Sequence, residues 1–197
     1  MTDTTRTNAV FRDCISRDVI RVVFQTHFPD AERIADLTWG KGAFWGAASN
    51  EVHGLIGLDK RPRYGCQIAA DSRYVPLRTG AVDVAIFDPP HQHGISKTTT
   101  LKHQDDYDRM ASQRDIHQLL ADTVPELRRI ARVGAIVKLT DMVEAGRYYP
   151  THMMFAAAVA PKIGWPCDLA ILDSGVVRPM KPNQRVLHLR HAHSFFL

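Results

Sequence analysis

The chain is expected to fold as a doubly wound α/β domain, a mostly parallel seven-stranded sheet whose last strand is antiparallel, with helices on both faces. Three observations predict this. Short apolar runs rich in Val, Ile and Leu alternate with longer segments of helical character, as in strands joined by crossover helices. These runs end in Gly, Asp or Pro, residues that stop a strand sharply. The 197 residues, 45% apolar and 23% charged, support one sizeable core, so residues 1–197 are read as a single domain.

In chain order, residues 1–10 are mostly polar and are expected to be flexible, and a helix follows over Cys14–His27. The first strand is predicted at Arg33–Leu37, a helix at Gly42–Asn50, and further strands at Val52–Leu58 and Val82–Phe87. Residues 91–115 are rich in His, Lys, Thr, Gln and Asp with few apolar anchors; a long insertion of this kind is a candidate substrate loop. Ile116, Leu119, Leu120, Val124, Leu127 and Ile130 recur at helical spacing and predict a helix over Arg114–Arg132. Strand Ala135–Leu139, helix Thr151–Ile163 and strand Leu169–Leu172 come next. The Pro-rich stretch Val176–Asn183 reads as a hairpin-like connection to a final strand at Arg185–Leu189.

Composition narrows the function classes. No apolar run approaches the roughly 20 residues of a membrane span, and the start MTDTTRTNAV lacks the basic head and apolar stretch of an export signal, so a cytoplasmic protein without a membrane partner is expected. Cys14, Cys66 and Cys167 are odd in number and form no Cys-x-x-Cys pair, which predicts buried thiols rather than disulfides or a zinc site. A net charge of +4 leans slightly towards acidic partners such as nucleic acid.

The first predicted strand runs into Asp36-Leu37-Thr38-Trp39-Gly40-Lys41-Gly42, a glycine-rich turn that lets a backbone approach a ligand closely. The third glycine of a dinucleotide fingerprint is absent, since Trp45 takes that place and Gly46 follows one residue late. The next strand ends at Asp59-Lys60, where folds of this kind place an acid that accepts from a ribose diol. Asp71-Ser72 follows a third short apolar stretch and is a candidate for the side of an adenine ring, or for an ordinary turn or helix cap. The sharpest feature is Val82-Asp-Val-Ala-Ile-Phe87-Asp88-Pro89-Pro90-His91, a strand that ends in an acid and two prolines. The prolines fix φ and hold the Asp88 and Pro89 carbonyls in a rigid extended loop. An amino group that donates to the Asp88 carboxylate and the Pro89 carbonyl would have its lone pair drawn out of conjugation and aimed at an electrophilic methyl. Direct transfer of that kind requires neither a protein nucleophile nor a metal, and no cluster of metal-ligand spacing is present.

The order of these segments resembles that of class I S-adenosylmethionine-dependent methyltransferases, in particular the amino-methylating group with an Asp/Asn/Ser-Pro-Pro-aromatic motif. Its best-known members methylate adenine N6 or cytosine N4 of DNA. The resemblance covers about residues 33–197 and includes His-Ser-Phe-Phe-Leu at 193–197 as the last hairpin strand. It implies a Rossmann-like fold and S-adenosyl-L-methionine as cofactor. By that resemblance Asp36, Leu37, Thr38, Trp39, Gly40 and Gly42 hold its methionine end, Asp59 and Lys60 its ribose, Asp71 and Ser72 its adenine, and Asp88 also touches it. Asp88, Pro89, Pro90 and His91 form the catalytic loop. Here His91 replaces the aromatic residue that stacks on the target base, Trp39 fills a position usually small, and no segment matches a target-recognition domain, so sequence choice must come from the loops, from a partner subunit, or not exist. Other acceptors compatible with such a loop are guanine N2 of RNA and a protein glutamine; a non-catalytic accessory subunit is the reading from a different class.

Other candidates have simpler explanations. Pro166-Cys167 precedes a strand and is expected to pack in the core. His91-x-His93 and His191-x-His193 lack a matching carboxylate or cysteine. Arg128, Arg129 and Arg132 are expected to form a solvated face near a helix end, and Tyr148 and Tyr149 to pack.

Overall fold

The structure, a computed structural model, describes residues 10–12, 14–46, 54–61, 65–90, 112–144, 147–164, 166–173 and 193–197. The elements are β1 (Val10–Arg12), α1 (Ser16–His27), β2 (Ile34–Asp36), β3 (Leu55–Asp59), β4 (Ile68–Ala69), β5 (Val82–Phe87) and α2 (Gln113–Ile130), then β6 (Ala131–Thr140), β7 (Met142–Glu144), β8 (Arg147–Tyr149), α3 (Thr151–Ile163), β9 (Ala170–Asp173) and β10 (His193–Phe196). Eight strands form one sheet in the order β1-β9-β10-β6-β5-β2-β3-β4, while β7 and β8 pair separately as an antiparallel ribbon. Among the described strands of the large sheet only β10 is antiparallel, running against β6 (Phe196 opposite Lys138) and β9 (His193 opposite Asp173). The expected mostly parallel sheet with a reversed last strand is therefore present, with β1, which was not expected, pairing in parallel with β9.

β5 explains why the sheet holds together. All six of its residues are buried, as a central parallel strand requires. Val84 and Ile86 face α1 and meet Val19, Ile20, Ile34, Ile136, Leu172 and Phe196. Ala85 and Phe87 face the other way, onto Ile116, Leu120, Val124 and Leu127 of α2 and Phe155 and Val159 of α3. The two cores thus sandwich one sheet, the doubly wound arrangement. At the start of α2, Ser112 caps Asp115 in both senses: its Oγ accepts from the Asp115 N–H at 3.3 Å and donates to the Asp115 carboxylate at 2.8 Å.

Several expectations require correction. Residues 42–45 form turns rather than the start of a helix, because Gly42 adopts φ of 66°, a left-handed value that a right-handed helix excludes; residues 47–50 lie outside the described set. Residues 112–115, assigned to the polar insertion, are the cap and first turn of α2. The final strand lies at 193–196, and the predicted Arg185–Leu189 run and its Pro-rich connection lie outside the described residues. None of the cysteines is fully buried: Cys14 and Cys66 are half-buried, and Cys167 is exposed in the bend before β9 rather than packed in the core. Arg129 is no solvated charge, since it donates to the carbonyls of Leu77 and Val75 and to Glu126, clamping the 75–77 loop onto α2. Arg132 pairs with buried Asp83, and Arg128 donates to the Lys162 carbonyl. Tyr148 is exposed, and its hydroxyl donates to Asp141. No helix among the described residues is long and apolar enough to cross a membrane.

Candidate active site

Strands β2, β3, β4, β5 and β6 run parallel, so their carboxyl ends share one edge of the sheet. Asp36, Asp59, Asp71, Asp88 and Asp141 all stand at or just beyond those ends. From β2 the chain builds outward to β3 and β4, then crosses back to β5 and on to β6. The strand order therefore reverses between β2 and β5, and such a switch point opens a crevice at the carboxyl edge.

The turn after β2 is built around one acid. Asp36 is 1% exposed; its Oδ1 accepts from the Thr38 N–H at 3.0 Å and its Oδ2 from the Trp45 indole N–H at 2.9 Å. Burial, partly offset by those two donors and reinforced by the charges of Asp88 and Asp59, pushes the Asp36 carboxyl up to about 6. The Gly42 N–H donates to the Trp39 carbonyl at 2.7 Å, and the Gly40 N–H to Asp59 Oδ2 at 2.8 Å. The glycine turn is thus tied both to its own acid and to the acid of β3. Trp39 does not line an open face: it is 5% exposed and its ring lies against Gly57 of β3, where a methyl would overlap it.

The turn is also tied to the Pro-Pro loop. The Asp88 N–H donates to Thr38 Oγ1 at 2.7 Å, and the Leu37 N–H donates to the Ile86 carbonyl at 2.9 Å. These two bonds bring the Asp88 backbone against the turn that Asp36 organises. Lys138, which sequence reasoning missed, donates from Nζ to Asp88 Oδ2 at 2.8 Å, with its ammonium 5.4 Å from the Phe44 ring centre. Its signal was available: a lysine inside the apolar run Ala135-Ile-Val-Lys-Leu139 has to find a partner when the strand is buried. Pro89 is buried and Pro90 half-buried, while His91 lies outside the described residues.

Farther along the edge the acids serve more local ends. Asp59 Oδ1 accepts from the Arg61 N–H at 2.8 Å, and Lys60 is exposed. Arg73 grips Asp71 with Nε at 2.9 Å and Nη2 at 2.7 Å, and this fork is the main cause that lowers the Asp71 carboxyl to about 2. The Ser72 hydroxyl lies 3.2 Å from that of Thr123 in α2. Beyond β6, Asp141 holds the Nδ1 of His152 at 2.7 Å and accepts from the His152 backbone N–H at 3.3 Å, which caps α3 where Pro150 cannot. The His152 ring stacks on Phe195 at 3.8 Å. This trio of Asp141, His152 and Tyr148 was also missed, because its members come from the turn after β6, from α3 and from β8.

Among solved structures the chain matches Burkholderia thailandensis 1,6-didemethyltoxoflavin-N1-methyltransferase, determined with 1,6-didemethyltoxoflavin and S-adenosylhomocysteine bound. The TM-score is 0.52 at 12% identity, over 93% of this chain and 77% of that one. A SAM-dependent methyltransferase from Archaeoglobus fulgidus matches with TM-score 0.48 and 11% identity, over 91% of this chain and 93% of that one. The PH0226 protein from Pyrococcus horikoshii matches with TM-score 0.45 and 14% identity; 73% of this chain aligns, spanning 59% of the Pyrococcus chain. The Burkholderia likeness shows that the chain shares the doubly wound, Rossmann-like α/β fold of that protein. A scan against protein-family models and a search of curated proteins each found no match.

Proposed function

We propose that this chain is an S-adenosylmethionine-dependent methyltransferase acting on an exocyclic amino nitrogen of a nucleic acid base, adenine N6 or cytosine N4 of DNA. The observation that carries the reading is the Thr38 hydroxyl, which accepts the Asp88 N–H at 2.7 Å and so joins the Pro-Pro loop to the glycine turn. A site for a ligand and a site for an acceptor are thereby held side by side at the switch point. The net charge of +4 suits a polyanionic partner. A separate partner subunit choosing the target sequence belongs to the same reading.

The residues present fit the cofactor. Burial is the main cause that raises the Asp36 carboxyl, and the nearby Asp88 and Asp59 add to it; this acidic edge, with Lys138 already on Asp88, suits a ligand that carries positive charge. S-adenosylmethionine brings such a cation and supplies an electrophilic methyl on its sulfonium. Gly40, at φ 53°, keeps the turn bare of side chain where the ligand would approach, and Asp59, bonded to the Gly40 N–H, keeps further lone pairs for a diol. Asp88 and the Pro89 carbonyl accept the two N–H bonds of the target amine. The prolines prevent the loop from relaxing, so both acceptors stay aimed. Asp88 can also hold the proton that the methylated nitrogen releases.

The direct test uses purified protein, methyl-labelled cofactor and DNA. Wild type should transfer label to DNA and Asp88→Ala should lose at least about a hundredfold in rate, while both bind S-adenosylhomocysteine in calorimetry. Equal transfer by the two proteins refutes the role of Asp88; no transfer by wild type to DNA, RNA or protein refutes the activity.

A further inference from the structure

Resting on the reading above, we infer that Lys138 reads the ring nitrogen beside the amino group that Asp88 and Pro89 hold, so the acceptor is a heterocycle whose amino group neighbours a hydrogen-bond acceptor. Lys138 stands on β6 next to β5, with Val137 opposite Phe87, and its Nζ lies 2.8 Å from Asp88 Oδ2. Its side chain is 12% exposed and that of Asp88 21%, so the pair is neither solvated nor sealed. An ammonium has three donors and no acceptor. One donor goes to Asp88, and the Phe44 ring, 5.4 Å from Nζ, walls one side of the charge. The strand tip therefore presents an anionic acceptor and a cationic donor side by side.

That pairing matches a particular edge. In adenine the N6 amine and N1, and in cytosine the N4 amine and N3, share one carbon, so a donor and an acceptor sit next to each other on the Watson–Crick edge. Asp88 takes the amine and Lys138 donates to the ring nitrogen. At the Watson–Crick edge of guanine the neighbour of N2 is N1–H, which meets the Lys138 donors head-on; guanine offers an acceptor beside N2 only at N3, on its opposite side. A hydroxyl acceptor, or an amine on a saturated carbon, leaves Lys138 without a second partner. The contact exists before and during transfer alike, so its loss falls on KM more than on kcat.

The test compares wild type, Lys138→Met and Lys138→Gln on single-stranded oligonucleotides carrying one adenine or one 1-deazaadenine, and one cytosine or one 3-deazacytosine. Binding is read by fluorescence anisotropy with S-adenosylhomocysteine present, and transfer by methyl label. Wild type should bind the parent base roughly tenfold more tightly than its deaza analogue in at least one pair. Lys138→Met should bind both at the weaker level, with KM rising more than kcat falls, and Lys138→Gln, which keeps a donor, should recover part of the preference. Equal wild-type binding within both pairs, or no binding of any oligonucleotide, overturns the inference. A Lys138→Met loss of the same size on parent and analogue also overturns it, because the lysine would then act only through Asp88. If discrimination is observed without methyl transfer, the recognition stands and the proposed activity falls.

Discussion

At the scale of single residues, Asp36 sets a pH dependence with an unusual sign. An aspartate titrates near 3.8 in an unfolded chain and at about 6 here, so the folded protein holds the proton more tightly. The stability this confers is complete below the unfolded value and is lost as the pH rises through the folded one, opposite to a salt-bridged carboxylate. Between about pH 4 and pH 7 wild type should lose roughly 3 kcal/mol relative to Asp36→Asn, the size that a shift of about two units carries. Urea denaturation of both proteins across that range checks it, and a pH-independent difference refutes it. Asp83 behaves in the ordinary direction. Chiefly Arg132, with the N–H groups of Arg33 and Glu32, lowers it to about 2, so its contribution persists above the usual carboxylate range and disappears only in strong acid. The sequence showed which acids cluster at strand ends, since Asp36, Asp59, Asp71 and Asp88 all lie there. It did not show their neighbours: Trp45 on Asp36, Arg73 on Asp71 and Lys138 on Asp88 are pairings decided by three-dimensional packing.

At the scale of elements, β3 and the glycine turn depend on each other through Gly57. The Trp39 ring occupies the space a side chain would need, so Gly57→Ala should cost about 2–4 kcal/mol and weaken S-adenosylhomocysteine binding. Adding Trp39→Leu should recover part of the lost stability, which thermal melting of single and double variants measures; no recovery would mean the clash lies elsewhere. Likewise Asp83 anchors β2, because its Oδ2 accepts from the Glu32 N–H at 3.0 Å and the Arg33 N–H at 2.9 Å, just before that strand begins. Asp83→Ala should therefore cost about 2–3 kcal/mol by leaving two N–H groups and Arg132 without their acceptor. The same packing explains what was legible. β5 and α3 match their predicted bounds to the residue, one because every side chain is buried, the other because Pro150 and Gly164 mark its ends. β4, β7 and β8, with two or three residues each, are too short to show a period, and the left-handed Gly42 places turns over residues 42–45, where a helix was predicted to begin.

At the scale of the whole molecule, the sheet is two pieces joined by one strand. β4, β3, β2, β5 and β6 come from residues 34–140, β1 and β9 form the other piece, and β10 pairs with β6 on one side and β9 on the other. Phe195 and Phe196, at 8% and 3% exposure, plug into opposite faces. A chain ending at residue 192 should keep much of its helical signal while losing its near-ultraviolet circular dichroism and its cooperative melt; a sharp transition in that truncated chain would show that β10 is dispensable. The overall class was readable from alternation alone, whereas β1, three residues long and paired with a strand about 160 residues away, gave no local sign of itself. Since β10 follows every other described strand of the sheet in the chain, we expect the nascent protein to fold in two stages. Five strands, β2 to β6, can collapse while translation continues, but β6 lacks its β10 partner until residues 193–196 are made, and during that interval the chain is most exposed to chaperones and to pairing with its neighbours.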